Sequence, residues 1–159
     1  MSRSPALPGA FLIQPLAHRG LHDRAAGVIE NSRAAFRAAI AKGYGIELDV
    51  QRSRDGEAMV FIDLEMQRLT DRAGLVLDYD AATLETIPLL DAADGETIPT
   101  LADVLALVAG GVPLLVEIKD QDGALGPDVG GLEARVAALL AGYDGPVAVM
   151  SFNPHSVAA

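Results

Sequence analysis

The chain has 159 residues, 50% of them hydrophobic and 21% charged, which is typical of a globular domain rather than a disordered or fibrous protein. Its formal net charge of −10 repels phosphate backbones and anionic lipid headgroups, so the composition argues against nucleic-acid binding. Cysteine is absent, which excludes disulfides, thiolate zinc sites and cysteine nucleophiles and favours a reducing compartment.

Residues 1–12 are predicted to form an N-terminal arm. The apolar stretch that begins in this arm continues to Ala17, but proline, glycine and glutamine interrupt it, and it is shorter than the roughly 18 residues that span a bilayer. Cleavage of a leader after Ala17 would also cut directly before the most informative motif of the chain. We therefore expect a cytoplasmic protein without a membrane span.

Strand and helix patterns alternate along the rest of the chain. Short runs of apolar and β-branched residues predict five strands, at residues 13–17, 45–51, 58–63, 113–119 and 146–152. Apolar residues at helical spacing predict three helices, from a cap at Asn31 to Gly43, from a cap at Thr100 to Gly110, and at residues 132–140. This alternation predicts a mostly parallel α/β sheet, and we expect all five strands to be parallel.

Residues 64–99 do not fit the alternation. They hold scattered aspartate, threonine, glycine and proline with short apolar pieces, and they are longer than a connecting loop usually is. We interpret them as an insertion between the third and fourth strands that forms a lid or a substrate-specificity loop.

Polar side chains stand at the ends of three predicted strands. They are His18 and Arg19 after the first strand, Glu47 and Asp49 in the second, and Glu117 and Lys119 in the fourth. Residues at i and i+2 of a strand share a face, so each charged pair points to one side. Three converging carboxylates repel one another unless a cation compensates, and oxygen ligands select Mg²⁺ or Ca²⁺ over zinc.

An ordinary structural explanation of the second strand remains open at this point. Glu47 and Asp49 could lie on the solvent face of an edge strand and pair with lysine or arginine. The polar ends of two further strands favour a functional site, because α/β folds place their active sites at the carboxyl ends of strands.

A set of short motifs, taken in order, resembles the glycerophosphodiester phosphodiesterase family. Each motif is weakly specific, whereas the ordered set is specific and covers nearly the whole chain from Leu16 onward. The motifs are His18-Arg19-Gly20, Glu30-Asn31, Glu47-Leu48-Asp49-Val50, Asp55-Gly56, Ile98-Pro99-Thr100-Leu101, Glu117-Ile118-Lys119 and Ser151-Phe152-Asn153.

The resemblance implies a TIM-type (β/α) barrel that hydrolyses small-molecule glycerophosphodiesters to glycerol 3-phosphate and an alcohol with a divalent cation, Mg²⁺ or Ca²⁺. By match to the family pattern, the metal ligands are Glu47, Asp49 and Glu117. His18 is one of two catalytic histidines, and Arg19 and Lys119 contact the phosphate. A phospholipase-like diesterase of the same fold is an alternative, but the sequence has no basic or aromatic membrane-facing surface.

The second catalytic histidine of the family pattern is missing. The family has a His-Asp pair after the third strand, and this chain has Ile62-Asp63 there. His22 and His155 do not occupy the required place. Asp63 is the nearest residue that could substitute as the acid, but as the next residue along a strand it would point to the opposite face from position 62, so we do not expect it to replace the histidine. We expect weakened or lost activity, and the alternative is a catalytically inactive phosphodiesterase-like binding or scaffold protein.

The chain is also short for the fold that the resemblance implies. A complete barrel takes at least about 200 residues and eight strands, whereas the domain at residues 13–159 supplies five. We expect only the first five strands of a barrel, with open sheet edges that a further part of the protein or a partner covers, or through which the chain self-associates.

Overall fold

The computed structural model describes residues 6–159, so residues 1–5 of the predicted arm lie outside it. Within that part of the chain a five-stranded sheet forms the centre. Its strands are β1 (Leu16–His18), β2 (Gly45–Arg52), β3 (Ala58–Val60), β4 (Leu114–Ile118) and β5 (Val147–Met150). Strands β1, β2, β4 and β5 are parallel neighbours in that order, which makes the fold a partial (β/α) barrel.

Helices connect the parallel strands. In chain order the α-helices are α1 (Arg33–Ala41), α2 (Ala81–Leu84), α3 (Leu101–Val108), α4 (Gly131–Leu140) and α5 (Pro154–Ala158). Short 3₁₀ helices lie at Gly9–Leu12, in the predicted arm, and at Arg24–Ala26 and Val76–Asp78. The three helices predicted from the sequence are confirmed as α1, α3 and α4, and Thr100 caps α3 by accepting a hydrogen bond from the Asp103 amide.

The predicted cap of α1 is wrong by one residue. Ser32 occupies the cap position, where its hydroxyl accepts a hydrogen bond from the Ala35 amide. Asn31 instead has a positive φ of 55° and lies in the preceding turn. Asparagine tolerates this left-handed conformation better than most residues do. Because Asn31 does not cap the helix, its side chain is free to bind a different partner.

The expectation that all five strands are parallel is wrong for β3. This strand pairs antiparallel with the end of β2, in the register Val50 with Val60 and Arg52 with Ala58. Only residues 53–57 join the two strands, and a parallel pair would need a crossover of a dozen or more residues. The part of the chain that the structure describes therefore contributes four strands to the parallel barrel sheet, and β3 pairs beside them as the second strand of a hairpin.

Strand β2 separates the core from the site by simple alternation. Ile46, Leu48 and Val50 are fully buried in the main apolar cluster, which packs the sheet against α1, α3 and α4. Glu47 and Asp49 alternate with them and face the other side of the sheet. Burial of the apolar face therefore fixes the direction of the two carboxylates.

Residues 64–99 fold onto the sheet rather than extending from it. Their apolar side chains form a second buried cluster with Ile29, Met59 and Phe61. Leu84, Ile87 and Ile98 of the segment are at most 2% exposed in this cluster. The segment is thus a packed insertion, and its role as a lid or specificity loop stays a prediction.

Within residues 6–159, β1 and β5 each pair with only one neighbour and form the two edges of the parallel sheet. Apolar side chains are exposed next to both edges, namely Leu12 and Ile13 before β1 and Val149 and Phe152 at β5. No helix among the described residues is long and apolar enough to cross a membrane.

Candidate functional site

All six candidate residues predicted from the sequence lie together, at the carboxyl ends of β1 and β4 and in the middle of β2 between them. The strand register accounts for this, since His18 pairs with Glu47 and Asp49 pairs with Glu117. Arg19 and Lys119 directly follow β1 and β4. The surface-pair explanation of the second strand is wrong, because β2 is a central strand and both of its carboxylates are buried.

The three carboxylates form a compact cluster that can hold a metal ion. One oxygen from each of Glu47, Asp49 and Glu117 lies within 4.8 Å of the others. All three residues are buried, and Asp49 is only 1% exposed. Oε1 of Glu47 is buried without a hydrogen-bond partner among residues 6–159. An unpartnered carboxylate oxygen in an oxygen-only cluster fits a hard divalent cation.

Two cationic side chains lie against this cluster. The Lys119 ammonium is 2.5 Å from Oε1 of Glu117 and 2.7 Å from Oδ1 of Asp49. Burial lowers the pKa of Lys119, but the hydrogen bonds to Asp49 and Glu117 outweigh burial and raise it overall. Nε of Arg19 lies 3.5 Å from Oδ2 of Asp49. Lys119 therefore remains charged beside the three carboxylates.

The environment of Glu47 disfavours the charged form of its carboxyl group. Burial, followed by the charge of Asp49, raises its pKa from 4.5 to about 7, and Glu117 adds to the effect. The backbone amide of Arg19, 3.0 Å from Oε2 of Glu47, partly offsets the rise. With a pKa of about 7, this carboxyl group gains and loses its proton near neutral pH.

His18 is the exposed member of the site. Its Nε2 is 3.9 Å from Oε2 of Glu47, while 70% of its side chain remains accessible. It lines a cavity of about 380 Å³ together with Arg19, Met150 and Phe152. Histidine exchanges protons near neutral pH, and this position leaves it open to a molecule in the cavity.

A second cavity, of about 370 Å³, lies on the other side of the Glu117 and Lys119 pair. Ile62 and Asp63 both line it, and Phe152 lies on the walls of both cavities. The premise that residues 62 and 63 continue the third strand is wrong, because β3 ends at Val60 and strand alternation does not apply to them. The carboxylate of Asp63 accepts a hydrogen bond of 2.6 Å from Nε of Arg68.

Asn31 is a site residue whose role the sequence did not indicate. Its side-chain amide donates to Oδ2 of Asp49 at 3.0 Å and accepts from the Asp49 backbone amide at 3.2 Å. The backbone amide of Asn31 also donates to the carbonyl of Arg19. Its place beside Glu30 in a recognised motif was the available signal, but the sequence suggested a helix cap instead. His22 and His155 are exposed and line neither cavity.

The fold and the site together define a class of protein. It has parallel α/β barrel architecture, and at the carboxyl ends of its strands an acidic cluster that can bind a metal lies beside two cations and a histidine. This arrangement suits a substrate that carries a phosphate ester, because the cations and a metal together would neutralise its charge.

Comparison with known proteins agrees with that class. Residues 18–159 match the Glycerophosphoryl diester phosphodiesterase family, and the chain therefore belongs to this family. A glycerophosphodiester phosphodiesterase from Caldanaerobacter subterraneus subsp. tengcongensis is 38% identical over 89% of this chain and 59% of its own length. The chain thus spans about three fifths of that relative.

Solved structures show the same fold. A phosphodiesterase from Oleispira antarctica, in complex with the product sn-glycerol-3-phosphate, has a TM-score of 0.79 and is 27% identical, over 94% of this chain and 62% of that chain. A glycerophosphodiester phosphodiesterase from Agrobacterium tumefaciens has a TM-score of 0.71 and is 28% identical, over 87% of this chain and 58% of that chain.

The raised pKa of Glu47 predicts how the stability of the metal-free protein depends on pH. The folded state holds the Glu47 proton more tightly than the unfolded state, whose pKa is near 4.5. The stabilisation is fully present below that value and is lost as pH rises through about 7. At about 1.4 kcal/mol per pKa unit, the loss is on the order of 3 kcal/mol.

Glu47→Gln removes this titration. The free energy of unfolding of the parent should therefore fall between pH 5 and pH 8 by more than that of the variant does. Urea unfolding with a chelator present, at both pH values, measures the difference. Glu65→Gln, at an exposed carboxylate outside the site, is the control and should leave the pH profile unchanged. Parallel profiles for Glu47→Gln and the parent would contradict the prediction.

Proposed function

We propose that the protein is a metal-dependent phosphoric diester hydrolase that cleaves glycerophosphodiesters into glycerol 3-phosphate and an alcohol. The observation that carries the proposal is the buried trio of carboxylates with Lys119, Arg19 and His18 around it. Family membership supports the same chemistry. We also propose that the protein acts in the cytoplasm on a small-molecule substrate.

Glu47, Asp49 and Glu117 would hold the metal, and oxygen-only ligands favour Mg²⁺ or Ca²⁺. Such an ion supplies positive charge to the phosphate oxygens and stabilises the charge that develops during the reaction. The unpartnered Oε1 of Glu47 supports this assignment. Removal of the Glu47 proton accompanies binding, so affinity for the ion falls as pH drops below about 7.

Lys119 and Arg19 bind the phosphodiester in this proposal. Both are partly exposed toward the cavity that His18 lines, with 21% and 25% of their side chains accessible. They would orient the phosphate and offset the overall negative charge of the protein, which by itself repels the substrate. His18 would take the proton from the attacking hydroxyl group or water.

The position of Ile62 limits the proposed activity. Ile62 lines the second cavity, together with Glu117 and Lys119. In this proposal, a general acid at position 62 would protonate the departing alcohol there. Isoleucine cannot donate a proton, and loss of a general acid typically lowers the rate by about 10² to 10⁴. We therefore propose that this chain turns over alkyl diesters weakly.

A catalytically inactive binding or scaffold protein is the second candidate. The ion pair of the Asp63 carboxylate with Arg68 supports this candidate, since an Asp63 side chain held by Arg68 would not supply the missing proton. Such a protein would bind a metal and a phosphodiester without turnover. Release of glycerol 3-phosphate from glycerophosphocholine or glycerophosphoethanolamine, with Mg²⁺ or Ca²⁺ present, separates the two candidates.

Metal binding should depend on the carboxylates acting together. Glu47→Ala or Asp49→Ala leaves two carboxylates and should abolish measurable Mg²⁺ or Ca²⁺ binding in a calorimetric titration. Glu133→Ala removes a buried carboxylate outside the site and is the matched control, with unchanged affinity expected. An unchanged affinity in Asp49→Ala would refute the metal site.

Ile62→His should restore hydrolysis selectively. Glycerol or choline leaves as a poor leaving group that needs a proton, whereas a nitrophenolate leaves without one. The variant should hydrolyse glycerophosphocholine at least tenfold faster than the parent, with little change on an activated aryl diester.

Leu64→His is the control for this experiment, because it places a histidine on the same cavity at another position. It should not restore hydrolysis. If the parent already cleaves glycerophosphocholine as fast as Ile62→His, another residue supplies the proton and the role given to position 62 is wrong.

The open sheet edges predict self-association. Val149 is 44% exposed at β5, whose outer edge is unpaired within residues 6–159. Unpaired edges with apolar side chains pair with other chains, and lysine on an edge strand opposes this. Sedimentation velocity at micromolar concentration should show association of the parent and less association of Val149→Lys.

Val157→Lys, at an exposed apolar residue in α5, is the control and should associate like the parent. A monomeric parent with a sharp cooperative thermal transition would contradict the prediction.

A further inference from the structure

Glu30 lies between two arginines that belong to different parts of the chain. Its Oε1 accepts a hydrogen bond of 3.0 Å from Nη1 of Arg19 and one of 2.6 Å from Nη2 of Arg68. Its Oε2 accepts a third, of 3.2 Å, from Nη1 of Arg68. Only 14% of the Glu30 side chain is accessible, so water screens these contacts weakly.

Arg68 is held at both ends of its guanidinium group. It grips Glu30 with its two terminal nitrogens and donates from Nε to the carboxylate of Asp63 at 2.6 Å. Arg68 lies in the insertion at residues 64–99, whereas Arg19 directly follows β1. The Glu30 carboxylate therefore connects Arg68 of the insertion to Arg19 of the candidate site.

The Glu30 carboxyl group is ionised in this connection. Burial alone would raise the pKa of Glu30, but Arg68 and Arg19 together outweigh burial and lower it. Glu30 therefore stays charged at neutral pH.

We propose that Glu30 and Arg68 are positioning residues for Arg19, through which the insertion sets the affinity of the site for the phosphate group of its ligand. The inference rests on the proposed function, in which Arg19 binds that phosphate. Arg19 has few other restraints on its guanidinium, since its Nε is 3.5 Å from Asp49 and lacks a hydrogen-bond partner among the described residues. The hydrogen bond to Glu30 is thus its principal anchor.

Arg68 also decides how strongly Glu30 competes with the phosphate for Arg19. A bidentate arginine takes up much of the charge of a carboxylate. Without Arg68, the full charge of Glu30 falls on Arg19 and weakens its attraction for an anion. Removal of Arg68 should therefore lower phosphate affinity although no atom of Arg68 contacts the three metal-binding carboxylates.

Calorimetric titration of the chain with sn-glycerol 3-phosphate, in the presence of Mg²⁺, tests the proposal. Arg68→Gln should bind the ligand about tenfold more weakly than the parent, which corresponds to the loss of about one charge-assisted hydrogen bond. Arg68→Lys keeps the charge but loses the two-nitrogen grip, and it should recover part of the affinity.

Arg24→Gln is the matched control. Arg24 also connects the segment after β1 to the insertion, through an ion pair of 2.7 Å with Asp91, but neither residue contacts Arg19. The substitution removes the same charge and the same kind of tie. Its affinity for sn-glycerol 3-phosphate should match that of the parent.

Two substitutions of Glu30 distinguish the hydrogen bond that positions Arg19 from the negative charge of the carboxylate. Glu30→Gln keeps an oxygen that can accept from Arg19, whereas Glu30→Ala removes the anchor. We expect Glu30→Ala to weaken binding more than Glu30→Gln does. The ¹⁵N chemical shift of the Arg19 Nε should change in Arg68→Gln and stay unchanged in Arg24→Gln. A general loss of the connection to the insertion would not distinguish the two variants in this way.

Arg19→Gln distinguishes failure of this inference from failure of the proposed function. If Arg19→Gln weakens binding and Arg68→Gln does not, the insertion has no control over Arg19 and the inference is overturned alone. If neither substitution weakens binding, Arg19 does not bind the phosphate and that part of the proposed function is wrong as well.

Discussion

Mutual repulsion among three buried carboxylates is the constraint on which the rest of the site depends. Glu47, Asp49 and Glu117 have oxygens within 4.8 Å of one another at the end of a central strand and its neighbour. Like charges at that separation, removed from water, are unfavourable unless other groups compensate. Much of the surrounding structure compensates them, through the ammonium of Lys119, the guanidinium of Arg19, the Arg19 backbone amide and the side chain of Asn31.

The compensation is incomplete at Glu47. The pKa of Glu47 stays raised to about 7 despite its neighbours, and one of its oxygens lacks a partner among residues 6–159. A protein that only needed stability could have placed an apolar side chain here. The retained strain is instead typical of a site that completes itself with a ligand.

The parallel strands and the convergence of the six candidate residues were predictable because strand alternation and register determine them, whereas the roles given to those residues stay a prediction that rests on the family resemblance. Alternation in β2 and β4 places Glu47, Asp49 and Glu117 on one face, and the register of parallel strands brings those ends together. The antiparallel course of β3, the side-chain partner of Asn31 and the direction of Asp63 were not predictable in that way. Each depends on where the chain turns or stops being regular, which residue patterns determine weakly.

The place of Glu47 and Asp49 within the sheet also limits how far their carboxylates can move apart. Strand β2 is hydrogen-bonded along both edges, by β1 and β3 on one side and β4 on the other, so its carboxylates are held by the part of the backbone that opens least often. Amide hydrogens around Asp49 should accordingly exchange slowly, and the spacing between the Glu47 and Asp49 carboxylates should change little while the rest of the molecule fluctuates.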